Sequence, residues 1–371
     1  MPERVSPPNI PKTIQFALDL DMQRVIDNMH RQKRNTPPKK FSWGCGVPLR
    51  TILIDHKGKC FLCVCQDWAP YSVGTIEQFS SLEDIWESPK AKEIQKETAP
   101  GASFKYCNTD RCGISDESTF RDEMYHLNNL AKETYYKSHP KKTIIYAIDE
   151  SCNLACPSCR VNKIFLKSGP EFNKKKLRNK AFMKMLKKFH EPVHVDMAGT
   201  GDSFSSLIYR EFLYNYKPND GQTFTLKTNG LLFNKQFLKL PILAHVKSLM
   251  ISIDAGSKEV YEIVRPPGKW EDLIKNLDMI AESNIINYWQ LSFVCQKNNY
   301  KDMINFNKLC KRYNVSGHIN HLGDWNTWTN FKEHEIQDPN HPEHEELKKC
   351  IHDLKQSKFH KVRLDHVLSQ L

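Results

Sequence analysis

Cys152, Cys156 and Cys159 lie in the stretch DESCNLACPSCR (149–160), spaced C-x3-C-x2-C, directly after a strand-like run, Thr143–Ile148. Cysteine thiolates are soft ligands that suit iron and zinc. Three of them on one tight loop hold three irons of a [4Fe–4S] cube and leave the fourth iron open for chemistry. The other reading is a zinc knuckle. Zinc wants a fourth Cys or His close by, and the nearest downstream histidine is His190.

A loop of this kind needs a frame. From residue 143 the sequence alternates between strand and helix patterns. The strand candidates are Thr143–Ile148, Val193–Met197, Thr223–Lys227, Ser248–Ile253, Gln290–Cys295 and His318–Leu322. Helical stretches lie between them at Ala181–His190, Ser206–Tyr214, Lys235–Leu240, Glu259–Val264, Glu271–Glu282 and Lys301–Tyr313. Such alternation predicts an α/β fold, a parallel sheet with helices outside. Six units are too few for an eight-unit barrel.

Ligands of parallel β/α folds sit at the C-terminal strand ends. The first strand ends at the three-cysteine loop. The second ends in MAGTGDSF (197–204), where Gly199 and Gly201 let the backbone approach a ligand and Asp202 offers an acceptor for an ammonium. The third ends in LKTNG (226–230), with Thr228 and Asn229 in a good turn sequence. The fourth runs into SIDAGS (252–257). Ser252 and Asp254 are two apart and share one side of the strand, which suits ribose hydroxyls. YEIVR (261–265) and WEDLIKNL (270–277) follow, and QKNNY (296–300) comes after the fifth strand.

These motifs, in this order, resemble those of the radical S-adenosylmethionine (SAM) enzymes. The resemblance implies a partial (β/α)6 barrel. It implies that a [4Fe–4S] cluster on Cys152, Cys156 and Cys159 binds SAM and reductively cleaves it to a 5′-deoxyadenosyl radical that takes hydrogen from a substrate. It places Gly199, Gly201, Asp202, Thr228, Asn229, Ser252 and Asp254 around SAM. Arg265 is either a partner of the SAM carboxylate or one half of a surface ion pair. One position departs from the family pattern: Ser158 stands where a large or aromatic residue often covers the adenine.

Residues 41–120 form a cysteine-rich unit with Cys45, Cys60, Cys63, Cys65, Cys107 and Cys112. Thr51–Asp55 and Phe61–Cys65 read as a hairpin around His56, Lys57 and Gly58, and Ser81–Ala91 as a helix capped by Ser80 or Ser81. CGVP (45–48), DHKGKCFLC (55–63), GTI (74–76), SLEDIW (81–86) and the Cys107/Cys112 pair resemble a twitch domain, the short relative of the SPASM domain. That implies an auxiliary [4Fe–4S] cluster on Cys45, Cys63, Cys107 and Cys112, with Cys60 and Cys65 as spares. Such domains usually follow the barrel; here the unit precedes it. A structural zinc site is the alternative.

The remaining chain divides into an N-terminal helical extension (1–40, with a helix over 13–32 stopped by Pro37 and Pro38), a linker helix (121–142), the barrel (143–330) and a polar, helical tail (331–371). Cys295, Cys310 and Cys350 read as lone apolar residues, and His341 and His344 as solvated surface. With 371 residues, 39% hydrophobic, the chain can bury a core for two domains. No apolar run suits a bilayer and no apolar h-region opens the chain, so no membrane partner is expected. Twelve cysteines without a secretion signal point to reduced thiols in the cytoplasm.

A net charge of +11 reads first as a lysine-rich surface, with the densest run, KKKLRNK (174–180), as a substrate-steering patch. Nucleic acid stays open as a partner. The expected function is radical SAM chemistry on a peptide or small-molecule substrate, fed by an external one-electron reductant, with peptide or protein modification leading. The alternatives are radical oxidation or rearrangement of a sugar, nucleotide or nucleic-acid base, and a non-catalytic Fe–S or zinc nucleic-acid-binding protein.

Overall fold

The structure is a computed structural model, and it describes residues 43–109, 112, 124–126, 142–197, 199–357 and 361–371. The expected N-terminal helix, the Pro37–Pro38 stop and most of the linker lie outside the described residues.

The cysteine-rich unit opens with β1 (Trp43–Cys45), α1 (Val47–Arg50) and β2 (Thr51–Ile54). The Asp55 carboxylate then accepts from the N–H groups of Lys57 and Lys59 at 2.9 and 2.7 Å, closing the hairpin turn. Gly58 supplies the left-handed φ of +79° that this turn requires. The return strand β3 (Lys59–Phe61) stops short of Cys65, and β4 (Ser72–Thr75) pairs on its far side. The helix expected over Ser81–Ala91 is two helices, α2 (Leu82–Glu87) and α3 (Pro89–Glu97). Pro89 has no N–H to continue α2, but it suits the first turn of α3. Ser81 is the cap, in a reciprocal box with Asp84. Inside the expected linker helix, β5 (Met124–His126) is instead a strand paired antiparallel with β1.

The larger unit runs β6 (Lys142–Tyr146), α4 (Pro170–Lys188), β7 (Val193–Met197), α5 (Leu207–Asn215), β8 (Gln222–Thr228) and β9 (Val246–Ser252). It continues α6 (Lys258–Val264), α7 (Trp270–Ser283), β10 (Trp289–Val294), α8 (Met303–Tyr313), β11 (Ser316–Asn320), α9 (His344–Gln356), β12 (Val362–Leu364) and α10 (His366–Ser369). The six expected strands, β6 to β11, lie side by side, parallel and in sequence order. This is the expected α/β architecture of a partial barrel.

The sheet goes further than six strands. β2 pairs in parallel with β6 at one edge, and β12 pairs in parallel with β11 at the other. β3 and β4 then prolong the β2 side into a ten-stranded sheet. The cysteine-rich unit therefore shares the sheet of the barrel. The tail is also corrected: α9 buries Leu347, Ile351 and Leu354, and β12 covers the free edge of β11. Lys235–Leu240 forms only a 3-10 turn, Phe237–Lys239, because Pro241 follows.

The two faces of the sheet differ in kind. Tyr146, Val195, Met197, Phe224, Leu226, Ile251, Phe293 and Ile319 are buried under the helices, each contributing about 1.5–3 kcal/mol of hydrophobic burial. Their neighbours in sequence, His194, Asp196, Thr223, Thr225 and Lys227, point to the other face and stay half-exposed. A parallel sheet normally buries both faces and reads as continuous apolar runs. The alternation here marks a hydrophilic inner wall.

Candidate active site

The three-cysteine loop leaves the C-terminal end of β6. Cys159 and Arg160 donate their N–H groups to the Cys156 carbonyl at 2.9 and 3.0 Å, so the second pair of cysteines closes one turn. The loop is moored by Cys152 N–H to the Ile164 carbonyl and Ala155 N–H to the Pro266 carbonyl, both at 2.8 Å. Cys152 and Cys156 are buried and Cys159 is exposed. Burial pushes the Cys156 thiol up to about 11, against the nearby Arg265 cation, which pulls it down.

Each sulfur has a side-chain donor beside it. Asn229 Nδ2 lies 3.5 Å from Cys152, Arg265 Nη1 3.7 Å from Cys156 and Arg160 Nη2 3.5 Å from Cys159. Around this loop several buried polar atoms lack a partner: Thr200 Oγ1, Ser203 Oγ, Ser205 Oγ, Tyr261 OH and Gln296 Nε2. Buried polar groups are rarely left unpaired. Three soft thiols on one short loop, with unsatisfied polar atoms nearby in the chain, fit a cluster carrying a polar ligand such as SAM.

Several residues expected to touch SAM are committed within the protein. Both Asp202 oxygens are taken: Oδ1 accepts from Phe204 N–H and Ser205 N–H at 2.9 and 2.8 Å, and Oδ2 from Thr228 Oγ1 and Asn229 N–H at 2.9 and 2.7 Å. In this structure Asp202 ties the β7 loop to the β8 end instead of facing an ammonium. Gly201 is likewise needed for packing, since a Cβ there would meet the Asp149 carbonyl at 2.4 Å. Gly199 is open to solvent. Thr228 and Asn229 sit at the strand end as expected, with Asn229 Nδ2 shared between Cys152 and Asn153.

Asp254 adopts the left-handed φ of +53°, unusual for a residue with a Cβ. Its Oδ1 accepts from Val294 N–H at 2.8 Å, its carbonyl accepts from Asn299 Nδ2 at 2.9 Å, and its Oδ2 pairs with Arg265 at 2.6 Å. Such over-determined strain clusters at functional sites. Arg265 is neither a surface ion pair nor free: it is 13% exposed and bridges Asp254 to Cys156. Burial works against its charge, but the Asp254 carboxylate prevails and raises its pKa. Ser252 lies half-exposed on the inner wall, opposite Ser292 in the neighbouring strand.

The second constellation gathers Cys45, Cys63, Cys107 and Cys112 around Val47, Ala69 and Phe104. Burial raises the Cys45, Cys63 and Cys107 thiols, Cys63 to about 12, and the neighbouring cysteines push in the same direction. The four chosen residues therefore converge. Cys60 belongs instead to the main core, and the Cys65 carbonyl accepts from Trp68 and Ala69 N–H. Among the described residues no three His, Cys, Asp or Glu side chains stand close enough to share a single metal ion.

Other expectations are revised. The basic run lies within α4, where Lys175 is 2% and Arg178 5% exposed. Lys175 Nζ donates to the His56 and Ile148 carbonyls at 2.7 and 2.9 Å, and Arg178 pairs with Glu77. Its most buried charges hold the chain together and do not steer a substrate. His341 and His344 are buried, each with a backbone carbonyl partner. Cys295 and Cys310 are fully buried, as expected, and Cys350 is half-buried. No described helix is long and apolar enough to cross a membrane.

Sequence reasoning missed Arg160, the Asp149–Ser206 hydrogen bond of 2.5 Å and the Asp196–Lys227 pair at 2.7 Å. The pair had a signal: VHVDM (193–197) and QTFTLKT (222–228) alternate strictly, which a doubly buried strand would not.

Residues 148–310 match the radical SAM superfamily, and residues 45–113 match the SPASM iron–sulfur cluster-binding domain. SuiB of Streptococcus suis, solved with S-adenosylmethionine bound, is similar at 16% identity and a TM-score of 0.41, over 62% of this chain and 52% of SuiB. Native anSMEcpe with bound AdoMet is similar at 15% identity and a TM-score of 0.41, over 60% of this chain and 64% of that one. This chain thus spans about half to two thirds of the length of these structures. No curated protein sequence matches it significantly. The matches imply SAM and a [4Fe–4S] cluster for the larger unit and auxiliary Fe–S ligation for the smaller. Residues 148–310 thus resemble the radical SAM superfamily, and a segment similar to the SPASM iron–sulfur cluster-binding domain precedes them in the chain.

Proposed function

We propose that this chain reductively cleaves SAM and oxidises a peptide or protein substrate at an unactivated C–H bond. The observation that carries the proposal is the placing of Cys152, Cys156 and Cys159 on one short loop after β6, with Cys156 and Cys159 closed into one turn and each sulfur beside a side-chain donor. When bound, the reduced cluster and SAM supply a 5′-deoxyadenosyl radical that removes a hydrogen atom from the substrate. The three cysteines would each hold one iron. Asn229 and Arg265 orient two of the sulfurs. Thr200, Ser203, Ser205, Tyr261 and Gln296 are the groups free to hold SAM, with Asp202 and Asp254 keeping their loops in place.

The inner wall, with His194, Asp196, Lys227 and Ser292, favours a hydrophilic substrate group. Peptide modification leads because SPASM-type domains often accompany it. Cys45, Cys63, Cys107 and Cys112 would fully ligate the auxiliary cluster. Four thiolates leave no open iron, which suits taking an electron from the substrate radical and passing it to a partner. An external reductant is needed, and the reduced thiols suit the cytoplasm. The test is anaerobic incubation with SAM and dithionite, assaying 5′-deoxyadenosine, then repetition with peptide candidates. No deoxyadenosine from iron-loaded protein would refute the reading.

A further inference from the structure

We propose that Arg160 raises the reduction potential of the cluster carried by Cys152, Cys156 and Cys159; this rests on the radical SAM reading of that loop. Two of the three donors at the cysteine sulfurs are cations, Arg160 and Arg265. They are not equivalent. The charge of Arg265 is balanced by the Asp254 carboxylate 2.6 Å away.

Arg160 is held by neutral groups: Nη1 donates to the Glu150 carbonyl at 2.8 Å and Nη2 to the Thr200 carbonyl at 2.6 Å. These carbonyls come from the segment entering the cysteine loop and from the glycine-rich loop after β7. The guanidinium is therefore fixed by two loops, independently of the sulfur it also reaches. Among the described residues no carboxylate pairs with it. One-electron reduction makes a cluster more negative by one charge. A fixed cation with an N–H aimed at a ligating sulfur favours that reduced state over the oxidised one, and so raises the potential.

The test is an EPR-monitored redox titration of the anaerobically reconstituted full chain, as wild type, Arg160→Gln and Arg160→Lys. The site cluster is the signal missing from the Cys152/Cys156/Cys159 triple-alanine variant, and the auxiliary cluster is the internal reference. Arg160→Gln should shift the reduced-to-oxidised ratio of the site cluster at least tenfold toward oxidised, about 59 mV for one electron. The auxiliary cluster should not move. Arg160→Lys keeps the charge and should stay within about threefold of wild type.

An unchanged site potential in Arg160→Gln overturns the proposal, as does an equal shift in the Gln and Lys variants or a shift shared by the auxiliary cluster. Loss of the site iron from Arg160→Gln also overturns it, because the arginine would then only hold the loop. A wild-type site cluster that ignores added SAM strikes the radical SAM reading instead, while the comparison of variants still decides the role of Arg160.

Discussion

Chemistry at the residue scale hangs on single side chains. Cys156→Ala removes one of the three proposed iron ligands and should abolish deoxyadenosine formation, while the auxiliary iron persists; unchanged deoxyadenosine production would sink the ligand assignment. Asp254 and Arg265 form a buried pair at a strained position. Removing either partner alone leaves an uncompensated charge and should cost about 3–5 kcal/mol. The Asp254→Ala, Arg265→Met double variant should cost clearly less than the sum of the singles. Additive losses in denaturant titrations would show that the two do not act as a pair.

Elements bring these residues together. Lys175 on α4 clamps the hairpin turn of the smaller unit to the β6 end through two carbonyls. Lys175→Met should strand both acceptors and cost about 1–3 kcal/mol, read as a lower midpoint in denaturant. A midpoint at the wild-type value would mean the clamp is dispensable.

The wall formed by β7 and β8 makes a pH prediction. His194 is flanked by Thr223 and Thr225 at 2.9 and 3.0 Å, and burial lowers its pKa below 6.5. The unfolded chain then binds the proton more readily. The stabilisation is complete above pH 6.5 and is lost as pH falls through the lower folded value. His194→Gln should flatten the fall of Tm between pH 6.5 and the lower folded value. Parallel wild-type and variant profiles would count against it.

The whole molecule carries two separate thiol groups, one on the loop after β6 and one around Cys45 of β1 and Cys63 beyond β3. Two [4Fe–4S] clusters require about eight irons per chain. The Cys152/Cys156/Cys159 triple-alanine variant should keep about half of that iron, because Cys45, Cys63, Cys107 and Cys112 form a separate group. Retention of none would show that the auxiliary site depends on the first. β2 next to β6 and β12 next to β11 also extend the barrel strands at both edges, from the cysteine-rich unit on one side and the tail on the other. The cysteine-rich unit and the tail are thus bound into the frame that presents the cysteine loop.

Much of this was legible in the sequence because it is local. The spacing of Cys152, Cys156 and Cys159 puts all three on one short loop, and the order of apolar and polar runs predicts six parallel strands. Cys45, Cys63, Cys107 and Cys112, which the motif resemblance grouped, pack around one small apolar cluster. Tertiary structure alone decided where the charges go. Asp202 and Asp254 looked like ligand contacts, yet their oxygens are taken by N–H groups at the ends of β8 and β10 and by the Arg265 guanidinium after α6. Lys175 and Arg178 looked like solvent-facing lysine-rich surface, and burial turned them into clamps. The physical reason is common to both: a buried charge must find partners, and those partners come from segments distant in the chain. Local spacing cannot name them.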